Sequence, residues 1–337
     1  MAPPPGFGSD VLIVVPCLNE QAHLGELLTR LVDEAGEGLI VVADGGSRDS
    51  SIAITEDFAR RHSNVRLLLN PQRFQSAAIN LAARTFGEGR RWLIRIDAHC
   101  GYPDGYVPGL VAAAERSGAA SVVVPMITRG EACFQTACAT AQNSVLGTGG
   151  SAHRHVGEGQ FVDHGHHALM SLQAFKAAGG YDEAFSHNED AELDLRLAQT
   201  GARIWIEPSM AITYYPRRTL GGLARQYFKY GEGRARTAMR HRTPLKLRQL
   251  LPLSIAPVVM LAVVGGPLFW PLALPAAGWA AACLGFGFLL GVRSRSACAG
   301  LSGVAAMVMH LAWSAGFLQQ RLLKSGPGPA PAPISQG

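Results

Sequence analysis

The sequence predicts an α/β domain on a mostly parallel sheet, with helices on both faces and apolar helices appended toward its C-terminal end. Three observations predict it. Short apolar runs alternate with helical periodicity from Val11 to Val124, a rhythm that calls for parallel strands joined by right-handed helical crossovers. Three apolar stretches follow, Leu250 to Trp270, Leu272 to Val292 and Ala297 to Leu318, each near the ~20 residues that cross a bilayer. Only 16% of the 337 residues are charged and the mean hydropathy is +0.13, which suggests a membrane part.

Taken in order, Val11 to Val15 is a buried strand ended by Pro16. Gln21 to Ala35 carries Leu24, Leu27, Leu28 and Leu31 at helical spacing. Leu39 to Ala43 is a strand, Ser51 to Arg61 a helix, Val65 to Leu69 a strand and Ser76 to Arg84 a helix with small apolar residues on one face. Trp92 to Ile96 and Ser121 to Pro125 are strands around the helix Tyr106 to Ser117. Beyond Ile127 the pattern loosens. Gly147 to Gly159, rich in Gly, His and Ser, reads as a loop; Leu172 to Ala178, Glu189 to Thr200 and Leu220 to Tyr230 as helices; Ala202 to Ile206 as a strand. The expected division is a disordered N-terminus over 1–10, a catalytic-type α/β domain over 11–246, a membrane region of about three apolar helices over 247–322, and a disordered tail over 323–337.

Net charge is +5 but uneven: Arg217 to Arg248 holds ten Lys or Arg and one acidic residue, Glu232. Placed before an apolar tail, this block points to a lipid surface or a lipid-linked phosphate, and no nucleic-acid signature accompanies it. Lys246 and Arg248 flank the first apolar stretch, and Arg293 and Arg295 separate the second from the third. Three crossings from the cytoplasm put both clusters inside, as the positive-inside bias expects, but leave Arg321 and Lys324 outside. The N-terminal residues have no signal-peptide pattern, which keeps the catalytic part cytoplasmic. The six cysteines, with no CxxC pair, read as small apolar residues in a reducing compartment.

Polar residues gather where strands end. Residues i and i+2 of a strand share a face, so Asp97 and His99 project together beyond Trp92 to Ile96, the end where open α/β sheets bind ligands. An oxygen and an imidazole nitrogen there suit a divalent metal, which in turn suits a diphosphate. Asn19-Glu20, Asp44 to Asp49, Asn70 to Asn80, and the later Gly179 to Glu183 and His187 to Asp190 complete the set.

These segments together resemble an inverting glycosyltransferase of family 2, with the Rossmann-like GT-A fold, over Val11 to Thr237. Val14 to Glu20, including Pro16, Asn19 and Glu20, resembles the family's first strand and turn. Asp44-Gly45-Gly46-Ser47-Arg48-Asp49 is similar to its Asp-Asp-Gly-Ser-x-Asp turn, with Gly45 where the second Asp stands; the resemblance implies that Asp44 binds the nucleotide base. Ala77 to Ala82, with Asn80, is similar to its Ala-Arg-Asn-x-Gly helix. Asp97-Ala98-His99 takes the place of the metal-binding Asp-x-Asp, and Glu189-Asp190 resembles the pair that supplies the catalytic base. The Gln-x-x-Arg-Trp motif of processive synthases is missing, which implies one sugar per encounter. With Asp163-His164-Gly165-His166-His167 upstream, the chain resembles the subgroup that includes the succinoglycan-biosynthesis glucosyltransferase.

The resemblance implies a nucleotide-sugar donor such as UDP-glucose and a Mn²⁺ or Mg²⁺ ion at Asp97 and His99. Asp190 is then the general base, Glu189 orients the acceptor, and Arg234 and Arg236 act as fixed cations on the leaving diphosphate. The implied partners are a polyprenyl-diphosphate-linked sugar acceptor, the lipid bilayer and other polysaccharide-assembly proteins, at the inner membrane, in exopolysaccharide biosynthesis. The histidines of Asp163 to His167 read as hydrogen-bonded structure or substrate contacts, with one of them a candidate to complete the metal shell. Two rival readings stay open: a nucleotidyltransferase, though no Gly-rich loop follows the first strand, and a membrane scaffold with a decayed site.

Overall fold

The computed structural model describes residues 6–149, 157–185, 187–245 and 247–323. Residues 1–5 and 324–337 of the expected disordered ends lie outside them, as do Lys246, Lys324 and the centre of the Gly/His/Ser-rich stretch. Residues 6–10 form a turn instead: Glu37 N donates to Phe7 O at 2.8 Å and Val11 N to Gly8 O at 2.7 Å.

The described chain divides into two compact units, 6–126 with 157–212, and 127–149 with 213–323. The first contains β1 (Val11–Cys17), α1 (Gln21–Ala35), β2 (Leu39–Asp44), α2 (Ser51–Arg61), β3 (Val65–Leu69), α3 (Gln75–Phe86), β4 (Trp92–Arg95), α4 (Tyr106–Ser117) and β5 (Ser121–Val124). After the short β6 (Met126–Thr128) the chain enters the second unit through α5 (Cys133–Gln142) and α6 (Val145–Thr148). It returns to the first with β7 (Gln160–Val162), β8 (His166–Ser171), α7 (Leu172–Ala177), α8 (Glu189–Gln199) and β9 (Ile204–Ile206). Strand β10 (Ile212–Tyr214) then leads to α9 (Leu220–His241).

The main sheet has eight strands in the order β3-β2-β1-β4-β8-β5-β9-β7. Strands β1 to β4 are mutually parallel, as the alternation predicts. Two departures stand out. Pro16 does not end β1; it pairs with Ala43 of β2. The β4 side makes its last bond from Ile96 N to Val14 O, so the missing N–H of Pro16 is never asked for. Strand β8, over a segment to which the sequence pattern assigns no strand, enters antiparallel between β4 and β5. Alternate residues of β1 serve the two faces of the sheet. Val11, Ile13 and Val15 pack with Leu24, Leu28, Phe58 and Leu110 of α1, α2 and α4. Leu12 and Val14 pack with Ile79, Phe175 and Leu193 of α3, α7 and α8. Each such side chain contributes roughly 1.5–3 kcal/mol by leaving water. The result is a three-layer platform with the β1, β2 and β4 loops gathered at the C-terminal ends of their strands.

In the second unit, helix α9 runs on to His241 rather than stopping at Tyr230. Gly231, just past the expected helix end, lies where a Cβ would stand 2.1 Å from the Trp313 carbonyl. The residue serves close helix packing, and its partner is α14 (Ser302–Leu323). Before it come α10 (Leu247–Leu253), α11 (Ile255–Gly265), α12 (Leu274–Ser294) and α13 (Ala297–Gly300). Among the described residues two helical stretches, Trp270–Ser294 and Ala297–Leu323, have the length and apolarity to cross a membrane. The first apolar stretch, expected as a third, is broken between α10, which holds Pro252, and α11. Gly287 and Gly303 let α12 and α14 approach backbone to backbone, the small-residue packing usual between membrane helices. Helix α12 is mostly bare and α14 nearly half covered. One expectation is overturned here: Cys133 and Cys298 are joined in a disulfide across 165 residues. Packing of α13 on α5 brings their Cα atoms to 5.0 Å, a pairing that sequence spacing does not reveal.

Candidate active site

The loops after β1 and β2 are laced together. Asn19, in a left-handed conformation, donates its N–H to Ser47 Oγ and accepts from Arg48 N, both at 2.8 Å. Glu20 N donates to Ser51 Oγ at 2.9 Å. The buried Asp44 carboxylate accepts from Gly46 N and Ser47 N at 2.8 Å and from Ser47 Oγ at 2.5 Å. Its lone pairs build the turn. A Cβ at Gly45 would stand 3.2 Å from Arg73 Cα, so a second Asp has little room here. Asn80, expected at substrate, is 3% exposed. Its amide donates to Tyr181 O and Glu183 Oε1 and accepts from Tyr181 N, at 2.8–2.9 Å, which makes it the anchor of the Gly180-Tyr181 loop.

At the end of β4 stands Arg95, which the sequence analysis did not single out. It is 5% exposed. Its Nε lies 3.1 Å from Asp97 Oδ1 and one terminal nitrogen 2.6 Å from Asp190 Oδ1. The signal was present: a charge inside an apolar strand demands partners, and Asp97 two residues on shares its face. Gln75 at the start of α3 donates to Asp97 Oδ1 as well. His99 is 54% exposed, with Nδ1 at 3.1 Å from Glu20 Oε1. Helix α8 brings Glu189 and Asp190 in its first turn, where the helix dipole favours negative charge.

Strand β8 supplies His166 and His167, and His164 lies just before it. Its pairing with β5 slips between Leu169 and His167, leaving Ala168 as an extra residue. Such bulges re-aim side chains beside active sites. His166 Nε2 lies 3.6 Å from Asp97 Oδ2 and its Nδ1 3.8 Å from Asp190 Oδ2. His167 Nε2 is 2.7 Å from Asp194 Oδ1 and His164 Nδ1 3.5 Å from Asp194 Oδ2. Of the three, His166 alone faces Asp97.

Charge follows geometry. Burial works to raise the Asp97 and Asp190 carboxyls, but Arg95 above all, with the histidines, holds both below the usual carboxylate range. Glu189 is pushed up to about 7 by burial and by Asp190 beside it. His166 falls to about 4 through burial and the Arg95 charge, so its ring is neutral near pH 7. His167 goes the other way: burial opposes its charge, and Asp194 and Asp190 outweigh burial.

Among the described residues no three His, Cys, Asp or Glu side chains gather as a ready metal cluster. Asp97 offers an oxygen to a hard divalent cation; His99, whose imidazole suits Mn²⁺ less well than a carboxylate would, lies against Glu20. Arg234 and Arg236 sit half-buried on α9, in the second unit.

A family model described as glycosyl transferase family 2 matches residues 12–178. The succinoglycan biosynthesis protein ExoA of Rhizobium meliloti (strain 1021) is 50% identical over 316 residues, 92% of this chain and 94% of that protein. The chain belongs to glycosyltransferase family 2. It is a glycosyltransferase, as the motif order implied. The mannosyltransferase PcManGT of Pyrobaculum calidifontis, solved with GDP-Man and Mn²⁺, superposes with a TM-score of 0.59 at 18% identity. The match covers 96% of this chain and 90% of that one. The shared architecture is the GT-A fold. The rival nucleotidyltransferase and decayed-scaffold readings lose their ground.

Proposed function

We propose that this enzyme transfers one sugar, with inversion, from a nucleoside-diphosphate sugar, UDP-glucose in the first instance, to a polyprenyl-diphosphate-linked acceptor. The setting is succinoglycan-type exopolysaccharide assembly at the cytoplasmic face of the inner membrane, alongside other assembly proteins. The observation that carries the reading is the convergence of Asp97 and Asp190 on Arg95. It sets a diphosphate-side carboxylate and an acceptor-side carboxylate against one buried cation. The near-complete match to ExoA supports the pathway, and the apolar helices support the lipid acceptor.

In this reading the acceptor hydroxyl attacks the anomeric carbon on the face away from the diphosphate. Its proton passes to Asp190, the sugar–phosphate C–O bond breaks, and the electron pair leaves with the nucleoside diphosphate. Asp190 Oδ1 is held by Arg95, so Oδ2 serves the acceptor. Asp97 and His99 would hold a Mn²⁺ or Mg²⁺ ion, which would supply Lewis-acid charge to the diphosphate. Pro16, Asn19, Glu20 and Asp44 shape the nucleotide side, Asn80 through the loop it anchors. Arg234 and Arg236 answer the charge of the diphosphates. The basic run of α9 holds the domain to an anionic surface at about 1 kcal/mol per cation.

A second reading makes Glu189 the base, since its proton affinity near pH 7 suits that task better than the suppressed affinity of Asp190. Activity of Glu189→Gln separates the two. The test of the function itself is sugar transfer to membrane lipid from a panel of nucleotide sugars, with and without Mn²⁺. Metal-stimulated transfer that Asp97→Ala and His99→Ala abolish supports it. Transfer indifferent to metal and to both substitutions contradicts the metal site.

A further inference from the structure

We propose that His167 and Asp194 are positioning residues for the Asp190 carboxylate, acting through the Tyr181 hydroxyl that lies between His167 and Asp190. The inference rests on the reading of Asp190 as the base.

Helix α8 puts Asp190 and Asp194 one turn apart on one face, where two like charges repel. The His167 ring fills the gap. Its Nε2 lies 2.7 Å from Asp194 Oδ1, its Nδ1 2.6 Å from the Tyr181 hydroxyl and 3.5 Å from Asp190 Oδ1. The Tyr181 hydroxyl donates to the same Asp190 Oδ1 at 3.3 Å. Gly165 N donates to the far oxygen of Asp194 at 3.3 Å, and a side chain at Gly165 would strike Val123. The Asp-His-Gly-His-His segment therefore has a structural reading: its glycine seats Asp194 and its last histidine passes that anchorage forward.

His167, Asp194 and Tyr181 are fully buried. Such burial is expensive unless every polar atom is satisfied, and an aliphatic side chain at 167 would fill the slot without that cost. What the arrangement achieves is asymmetry at Asp190. Oδ1 collects Arg95 at 2.6 Å and the Tyr181 hydroxyl. Oδ2 has His166 at 3.8 Å, beyond hydrogen-bond range. One oxygen is clamped and the other presented, which fixes the direction from which a proton can be taken. A displacement of 1 Å at such a group costs about 10²-fold in rate.

The test uses the full-length protein in membranes, with Tyr181→Phe and Asp194→Asn. Tyr181→Phe removes only the hydroxyl and leaves the ring against Phe175, and Asp194→Asn still accepts from His167; a thermal scan of each variant reads any loss of stability apart from kcat. We expect kcat to fall about 10–100-fold in Tyr181→Phe and in the same direction in Asp194→Asn, with the donor KM unchanged. We further expect no added loss when Tyr181→Phe is placed in the Asp190→Asn background, because both act at one carboxylate. Wild-type kcat in Tyr181→Phe and Asp194→Asn, or the same fold-loss in the Asp190→Asn background, overturns the positioning role while leaving the base intact. Wild-type transfer by Asp190→Asn alone overturns the base reading, and this inference with it.

Discussion

Replacing Arg95 with methionine removes the cation that Asp97 and Asp190 share while keeping most of the side-chain length. Taking one partner from a buried ion pair costs about 3–5 kcal/mol, because the charge left behind has no compensation. The Asp97 and Asp190 side chains keep 13% and 17% exposure, so water reaches both, and the lower end, about 3 kcal/mol, is expected. At roughly 2–4 °C per kcal/mol for a domain of this size, Tm should fall by about 6–12 °C. The pH dependence has a defined sign. Both carboxyls are held below their unfolded values, so the stabilisation is present above the ordinary carboxylate range and lost as pH falls through the lowered folded values. The gap between wild type and Arg95→Met is therefore widest near neutral pH and narrows in acid. Thermal scans of detergent-solubilised protein at a fixed rate, read by tryptophan fluorescence from pH 7 to pH 3, measure it. Equal melting at pH 7, or a gap that does not change with pH, refutes the reasoning.

Three further outcomes follow from the same geometry. Glu189 titrates near 7, so wild-type transfer should rise through neutral pH and Glu189→Gln should lose that inflection; its rate loss should stay well under the ~10²–10⁴-fold of a missing base, and a loss of that full size would move the base to Glu189. Gly231→Ala forces a Cβ against the Trp313 carbonyl and should destabilise by about 1–3 kcal/mol, whereas Gly221→Ala, with open space around it, should be neutral to slightly stabilising; equal Tm values for the two would contradict the α9–α14 contact. Peptide mapping of aerobically purified protein should find Cys133 linked to Cys298, with Cys17, Cys100, Cys138 and Cys283 alkylated as free thiols; free Cys133 and Cys298 would remove the bond.

The first part of the fold is legible because local signals agree there. In Val11 to Val124 each apolar run is bounded by its own turn residues, and helices α1, α2 and α4 fall where periodicity places them. Legibility fails where tertiary context decides. Strand β8 begins with two histidines, and the sequence pattern marks no strand there until Asp194 and Tyr181 are seen to receive one of them. Gly231 punctuates a helix in sequence and seats a helix contact in space. Within the site, Asp97, His99, Glu189 and Asp190 can be picked out because motif order marks them. Arg95 carries a signal, a charge inside an apolar strand, but its second partner Asp190 is distant in the chain; the roles of Tyr181 and Asp194 exist only through such distant contacts. Asn80 shows the converse: read as a substrate contact, it is buried and anchors a loop.

The central claim is that Asp190 takes the acceptor proton during transfer of one sugar to a lipid-linked acceptor. It is tested most directly by incubating wild-type and Asp190→Asn membranes with labelled UDP-glucose and Mn²⁺, then extracting the lipid-linked product and reading its length and anomeric configuration. The account predicts one added sugar of inverted configuration from wild type. It predicts a rate ~10²–10⁴-fold lower from Asp190→Asn, with nucleotide binding retained. A ladder of added sugars, a retained configuration, or wild-type transfer by Asp190→Asn would contradict it.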